Sequence, residues 1–323
     1  MSPAPGRGGR LLRAALVVLV LAVVAYFFGR AVGGDWQAVR DVDVHVDLWS
    51  AGAVLLFVLA VVVSGLLWGG MLGRLSGRRV GPLEAVRVQL ASWVLKYVPG
   101  QVGALANKLV WGSRRGYSRT DVVISFVYEY AFLLLGSILP AAAVLLLAGT
   151  DLEAAREVQG ALLPLLVALV PLVLVVDRRV LRWVVDRLGR RLTGSTVPLE
   201  RFLGWRAALG YQLAFLVPRA LNGAAFVLVA VSFLDVPTTA YVPLAAAYVL
   251  AAAAGLLAVF VPSGLGVREA VVVVLAAPYL PVGQAVVLAL VARLWSTVGD
   301  GVVALLYGVL RLLHRSRRGG CPA

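Results

Sequence analysis

Residues 48–72 pass without a single charged side chain. At 1.5 Å of rise per residue, a helix of that length crosses the ~30 Å hydrocarbon core of a bilayer. Apolar runs recur at residues 14–28, 122–148, 161–176, 207–234 and 282–310. No soluble domain covers so much apolar surface: the chain is 61% apolar and 14% charged, with a mean hydropathy of +0.92. The runs are continuous rather than alternating, which selects helices over a β-barrel. The expected fold class is therefore all-α, a polytopic helical membrane protein forming one transmembrane domain over residues 1–323.

Arginines set the orientation. The formal net charge is +14, and the only lysines are Lys96 and Lys108. Arg7, Arg10 and Arg13 precede the first run. Arg74, Arg78, Arg79 and Arg87 follow the second, and Arg114, Arg115 and Arg119 precede the third. Residues 177–206 hold Arg178, Arg179, Arg182, Arg187, Arg190, Arg191, Arg201 and Arg206. Arg311, Arg315, Arg317 and Arg318 open a basic tail over residues 311–323. Basic loops stay inside, so every cluster and both termini are expected on the cytoplasmic side of the membrane. Residues 14–28 read as a retained span rather than a signal peptide, because no small-x-small cleavage site follows. Within 177–206, Leu181, Val184, Val185, Leu188 and Leu192 repeat at helical spacing between arginines. That pattern suits an interfacial helix resting on anionic lipid, with a plain solvated loop as the other reading.

Several chemistries drop out. The single Cys321 rules out disulfides within the chain and cysteine-rich metal sites, and His45 and His314 lie outside the apolar runs. Asp41, Asp43, His45 and Asp47 alternate along residues 30–47, with Asp35 and Arg40 nearby. A divalent-metal site is conceivable there, but a solvated strap on the outer surface is preferred, and no metal or cofactor is assigned. Gly100-Gln101-Val102-Gly103 is not followed by Gly-Lys-Ser/Thr, so it is no P-loop. No nucleophile elbow or Ser-x-x-Lys dyad occurs. Nucleic acid is not expected as a partner, since no soluble domain offers a binding face.

One phrase occurs twice. Tyr97-Val98-Pro99-Gly100-Gln101-Val102-Gly103 returns as Phe260-Val261-Pro262-Ser263-Gly264-Leu265-Gly266, 163 residues later. Pro cannot continue a helix and Gly admits bent backbone, so each phrase reads as a break between half-helices. Residues 84–111 carry the first break and have basic clusters at both ends, which reads as a re-entrant hairpin from the cytoplasm. Residues 240–280 carry the second. They fit either a hairpin from outside or two tilted full spans. The hairpin version gives six full spans plus two hairpins, where hydropathy alone counts about eight spans. It also makes residues 48–148 and 207–310 an inverted repeat.

A charge at the bilayer centre costs ~2.5–3.5 kcal/mol and persists when paired or wet. The candidates are Lys96, Lys108, Glu129, Arg219, Arg268, Glu269, Arg293 and Asp300. Snorkelling to the interface competes as an explanation for the two lysines. Arg268 and Glu269 start a half-helix, where Glu269 suits the positive dipole end and Arg268 reaches for an anion, unless the two form a structural pair. The repeat offset sets Glu129 within one residue of Arg293, suggesting an intramembrane pair. Arg219, with Asn222 on its own face, suits a phosphate or carboxylate, or else a helix contact. The expected site is a cavity near the bilayer midplane lined by Lys96, Pro99, Gly100, Gly103, Glu129, Arg219, Pro262, Gly264, Gly266, Arg268, Glu269, Arg293 and Asp300.

Lys96 to Gly100, Glu129 after the basic turn 114–119, Pro262-Ser263-Gly264-Leu265-Gly266-Val267-Arg268-Glu269, and Arg293 to Asp300 resemble the lysylphosphatidylglycerol synthase/flippase transmembrane family. That is the membrane region of the bacterial multiple peptide resistance factor, and the resemblance covers essentially the whole chain. Ser263 stands where many relatives have Gly. The resemblance implies a bacterial membrane protein that translocates or handles a lipid. The chain stops at Ala323, so the aminoacyl-transferase domain of the full-length factors is expected to be missing, and synthase activity is not carried over. The leading expectation is a flippase for a phospholipid or glycolipid headgroup, without ATP and without enzymatic chemistry. On that expectation Arg268→Ala or Glu129→Ala abolishes translocation without loss of folding. A non-transporting scaffold or partner of a separate lipid- or glycan-modifying enzyme is the alternative, and an intramembrane enzyme ranks last. A homo-oligomer is compatible with either.

Overall fold

The computed structural model describes residues 46–97, 101–148, 179–180, 182–183, 201–258 and 264–319. The expected first span, the strap as far as His45, the span at 161–176 and most of the Arg-rich segment lie outside them. Arg179, Val180, Arg182 and Trp183 are helical. All regular structure among the described residues is helical.

Helix α1 (Leu48–Ser76) begins where Asp47 and Ser50 satisfy each other: Ser50 N–H donates to Asp47 Oδ1 at 2.8 Å, and Asp47 N–H donates to Ser50 Oγ at 3.0 Å. This reciprocal cap occupies donors that a helix start leaves open. The helix stops at Gly77, whose φ of +67° needs a residue without a Cβ. Helix α2 (Pro82–Val94) opens on a proline, whose missing N–H costs nothing there. A tight turn, Leu95–Tyr97, ends it, and α3 (Val102–Arg114) starts after Gln101, held at φ +58°. Pro99 and Gly100 lie outside the described residues. At 13 residues each, α2 and α3 are about 20 Å long, short of the hydrocarbon thickness. They pack on each other, and Glu84 in the first turn of α2 accepts from Trp111 Nε1 (3.0 Å) and pairs with Arg115 (2.5 Å). The chain thus returns to the level from which it started.

Helix α4 (Arg119–Ala148) is long and buried. The run at 207–234, expected as one span, falls in one helical stretch long enough to cross, interrupted once: α5 (Trp205–Ala214) and α6 (Leu216–Phe233) meet at Phe215. Pro218 explains the division: it has no N–H to offer the Ala214 carbonyl. Helix α7 (Tyr241–Leu257) follows, then α8 (Val267–Ala276) and α9 (Val282–Gly319). At 10 residues α8 is about 15 Å long, short of the hydrocarbon thickness. Pro262 lies outside the described residues. Beside it, Gly264 and Gly266 both take positive φ, +64° and +84°. Gly264 also abuts Gly255: a Cβ on Gly264 would sit 2.6 Å from the Gly255 Cα.

Five helical stretches among the described residues are long and apolar enough to cross a membrane: Leu48–Ser76, Arg119–Leu145, Trp205–Phe233, Thr238–Leu257 and Val282–Leu313. The protein is a multi-pass helical membrane protein. Packing is balanced between two sets of helices. α1 packs on α2, α2 on α3 and α3 on α4, and likewise α6 on α7, α7 on α8 and α8 on α9. Across the sets, α2 packs on α9 as α7 does on α4. At the centre α1 lies against α6 with opposite direction, because Ser232 Oγ near the end of α6 donates to Asp47 at the start of α1 (2.7 Å).

Candidate functional site

A cavity of about 370 Å³ opens between these two sets, beside both broken segments. α1, α2 and α4 contribute one side; α6, α7, α8 and α9 contribute the other. Part of its wall is apolar, from Phe57, Val61, Phe126, Leu133, Leu134 and Val303. α7 adds Ala252, Leu256 and Leu257, and polar and charged groups come from Lys96, Gln101, Tyr130, Arg219, Asn222, Arg268, Ser296 and Asp300.

Lys96 and Asp300 cross the cavity edge as an ion pair at 2.7 Å, joining the turn after α2 to α9. Trp93 Nε1 donates to the same Asp300 oxygen at 2.7 Å, and the Lys96 ammonium stands 4.3 Å from the Trp93 ring centre. Gln101, in left-handed backbone at the first break, accepts from Tyr130 Oη at 2.9 Å. That contact anchors a strained residue to α4. On the opposite wall, Arg268 in the first turn of α8 lies 4.3 Å from the Tyr248 ring centre. Tyr248 is itself stacked on Phe226 at 4.5 Å, which fixes the ring. Arg219 shares one face of α6 with Asn222, three residues on. It is 7% exposed, and its Nε has no hydrogen-bond partner.

Of the residues expected at the site, Lys96, Arg219, Gly264, Arg268 and Asp300 line the cavity. Glu269 and Arg293 flank a small adjoining cleft with Arg268 and Tyr248. Gly103, in the first turn of α3, and Gly266, the residue before α8, are not among the lining residues. Pro99, Gly100 and Pro262 lie outside the described residues. Asp47, the one described member of the acidic strap, is a helix cap, and no cluster of three metal-ligating side chains occurs among the described residues.

Glu129 is elsewhere. It is 1% exposed, forms an ion pair with the equally buried Lys108, and accepts from Gln89 Nε2 at 2.9 Å. The Lys108 ammonium stands 4.3 Å from the Trp68 ring centre. The expected Glu129–Arg293 pair is therefore not formed. Arg293 pairs with Glu269 at 3.6 Å, and Glu269 accepts the Gly266 N–H at 2.6 Å, capping α8. The physical reason is local: α3 packs on α4, and α8 on α9, so each long helix meets the charge on the half-helix before it. The same packing overturns snorkelling for Lys108 and pairing of Arg268 with Glu269. Lys96, too, meets a carboxylate rather than only reaching for the interface.

Tyr248, Trp93, Gln101 and Tyr130 were not singled out from sequence. Two of them carried a signal. Trp93 is three residues before Lys96, the spacing that brings side chains together on a helix, and Gln101 sits inside the repeated phrase.

The profile of the family described as "Lysylphosphatidylglycerol synthase TM region" matches residues 11–304. No curated protein matches the chain.

Proposed function

The chain belongs to the lysylphosphatidylglycerol synthase transmembrane family, and on that premise we propose that it moves a lipid headgroup across a bacterial cell membrane through the cavity between its two sets of helices. The observation that carries this reading is the cavity's composition. Guanidinium groups from Arg219 and Arg268 face one part of it and an apolar wall faces another, which suits a polar headgroup with its tails left in the bilayer. α1–α4 and α5–α9 act as inverted repeats, a reading supported by the balanced packing and by the opposed directions of α1 and α6. The broken pair α2–α3 acts as a re-entrant hairpin, a reading supported by the lengths of α2 and α3 and by the Glu84–Arg115 tie, and α7–α8, a crossing-length helix followed by the short α8, acts as its counterpart from the opposite face. One set rocks against the other, the basic loops stay cytoplasmic, and no covalent step is involved.

The test is the leaflet distribution of lipids in cells lacking the protein, read by mass spectrometry after labelling outer-leaflet headgroups with a membrane-impermeant reagent. Translocation predicts that one lipid class changes its outer-to-inner ratio while its total amount holds. A lipid species that disappears altogether, with unchanged leaflet ratios for the rest, refutes transport and points to support of a separate lipid-modifying enzyme.

A further inference from the structure

The charges that line the cavity do not balance, and the imbalance identifies a class of headgroup. Four charged side chains from the described residues line it: Lys96, Arg219, Arg268 and Asp300. Asp300 is already held by Lys96 and by Trp93 Nε1. In the adjoining cleft Glu269 is likewise held, by Arg293 and the Gly266 N–H. Two guanidinium groups remain, at Arg219 and Arg268, with no carboxylate paired to either among the described residues. Both line the same cavity. Arg219 is 7% exposed with an unpartnered Nε, so its charge is withdrawn from water without a counter-ion. Arg268 contacts the Tyr248 ring, which occupies none of its five N–H donors. Asn222 adds neutral donors on the Arg219 wall.

A buried cation at Arg219 and a part-buried one at Arg268, both without anions, are costly, and a ligand that brings the missing charge recovers that cost. We propose that the cavity is built for a lipid whose headgroup ends in a doubly negative phosphate, a phosphomonoester or diphosphate, and that it disfavours an aminoacylated, cationic headgroup. This rests on the lipid reading above and narrows it. A phosphomonoester carries about −1.5 to −2 near neutral pH and presents three acceptor oxygens, which two guanidinium forks can share. A phosphodiester brings one negative charge and leaves one guanidinium uncompensated. A lysyl ester adds positive charge to a site that already has two in excess. The apolar wall at Phe57, Val61 and Val303 lies within the same cavity and accommodates the first methylenes of the tails.

The experiment is equilibrium binding to the full chain in detergent, read by tryptophan fluorescence, since Trp93 lines the cavity. Four probes are compared: dioctanoyl phosphatidic acid, dioctanoyl phosphatidylglycerol, its lysyl ester, and inorganic phosphate. The expected order is phosphatidic acid tightest by about tenfold or more, phosphatidylglycerol next, and lysyl ester and inorganic phosphate weakest. Arg219→Gln and Arg268→Gln should each cost phosphatidic acid about tenfold and phosphatidylglycerol much less, bringing the two together. Lysyl ester binding as tightly as phosphatidic acid overturns the inference, and so does inorganic phosphate matching it. The order among probes is read on the unmodified protein, so a variant that fails to fold leaves the test intact. Binding is scored apart from transport: the expected order without any change of leaflet distribution would sink the flippase reading alone, and transport without the order would sink this inference alone.

Discussion

Glu129 and Lys108 show what a charge does when it is built into the membrane region without facing the cavity. Both are 1% exposed, and Gln89 takes up one of the carboxylate oxygens. Removing one partner of such a pair strands the other, at a cost of roughly 3–5 kcal/mol, whereas replacing both with apolar residues of similar volume is close to neutral. Glu129→Ala should therefore lower the thermal midpoint of the purified protein steeply, and Glu129→Leu with Lys108→Met should recover most of it. A Glu129→Ala protein as stable as the parent would contradict the structural role. The expectation that this variant folds normally and loses only transport is set aside on the same grounds. Sequence was informative about which charges are costly, because Lys108, Glu129, Arg219, Glu269 and Arg293 all stand inside or beside apolar runs. It was uninformative about partners. Equivalent positions in two repeats meet only if both lie on the axis relating them, and Glu129 and Arg293 instead reach the half-helices next to them in sequence.

At the scale of elements, the second break depends on two glycines for different reasons. Gly266 needs positive φ to hand the chain to α8, and Gly264 needs both positive φ and the absence of a Cβ against Gly255. Gly264→Ala should destabilise the protein by more than ~1 kcal/mol and shift α8 with Arg268. Gly301→Ala is the control: an added Cβ there meets nothing within 4 Å, and an exposed helical Gly→Ala gains up to ~1 kcal/mol. Thermal unfolding of the two variants side by side checks this, and equal midpoints would refute the close approach. The Pro-Gly phrase made both breaks legible from sequence, and the apolar runs made α1, α4 and α9 legible. The division at Phe215 was less visible. Pro218 sits inside an otherwise continuous apolar run, and hydropathy does not register a missing backbone donor.

The described helices pack as two sets around a cavity with charged groups on its wall, and Lys96–Asp300 bridges between them. Repeated phrase and arginine clusters were enough to expect two related halves of a membrane protein. The cavity's charge balance required knowing which carboxylates are already occupied, and no spacing in the sequence reveals that. The proposed route of a lipid headgroup through the cavity is the point on which the rest depends. It is tested most directly by reconstituting the protein in liposomes with an acyl-labelled anionic phospholipid and following its reduction by external dithionite. The unmodified protein should expose inner-leaflet lipid that protein-free liposomes keep protected, and Arg219→Ala with Arg268→Ala, folded as judged by monodispersity and thermal midpoint, should slow that exposure at least about tenfold. Exposure at the parent rate in that double variant would contradict the claim.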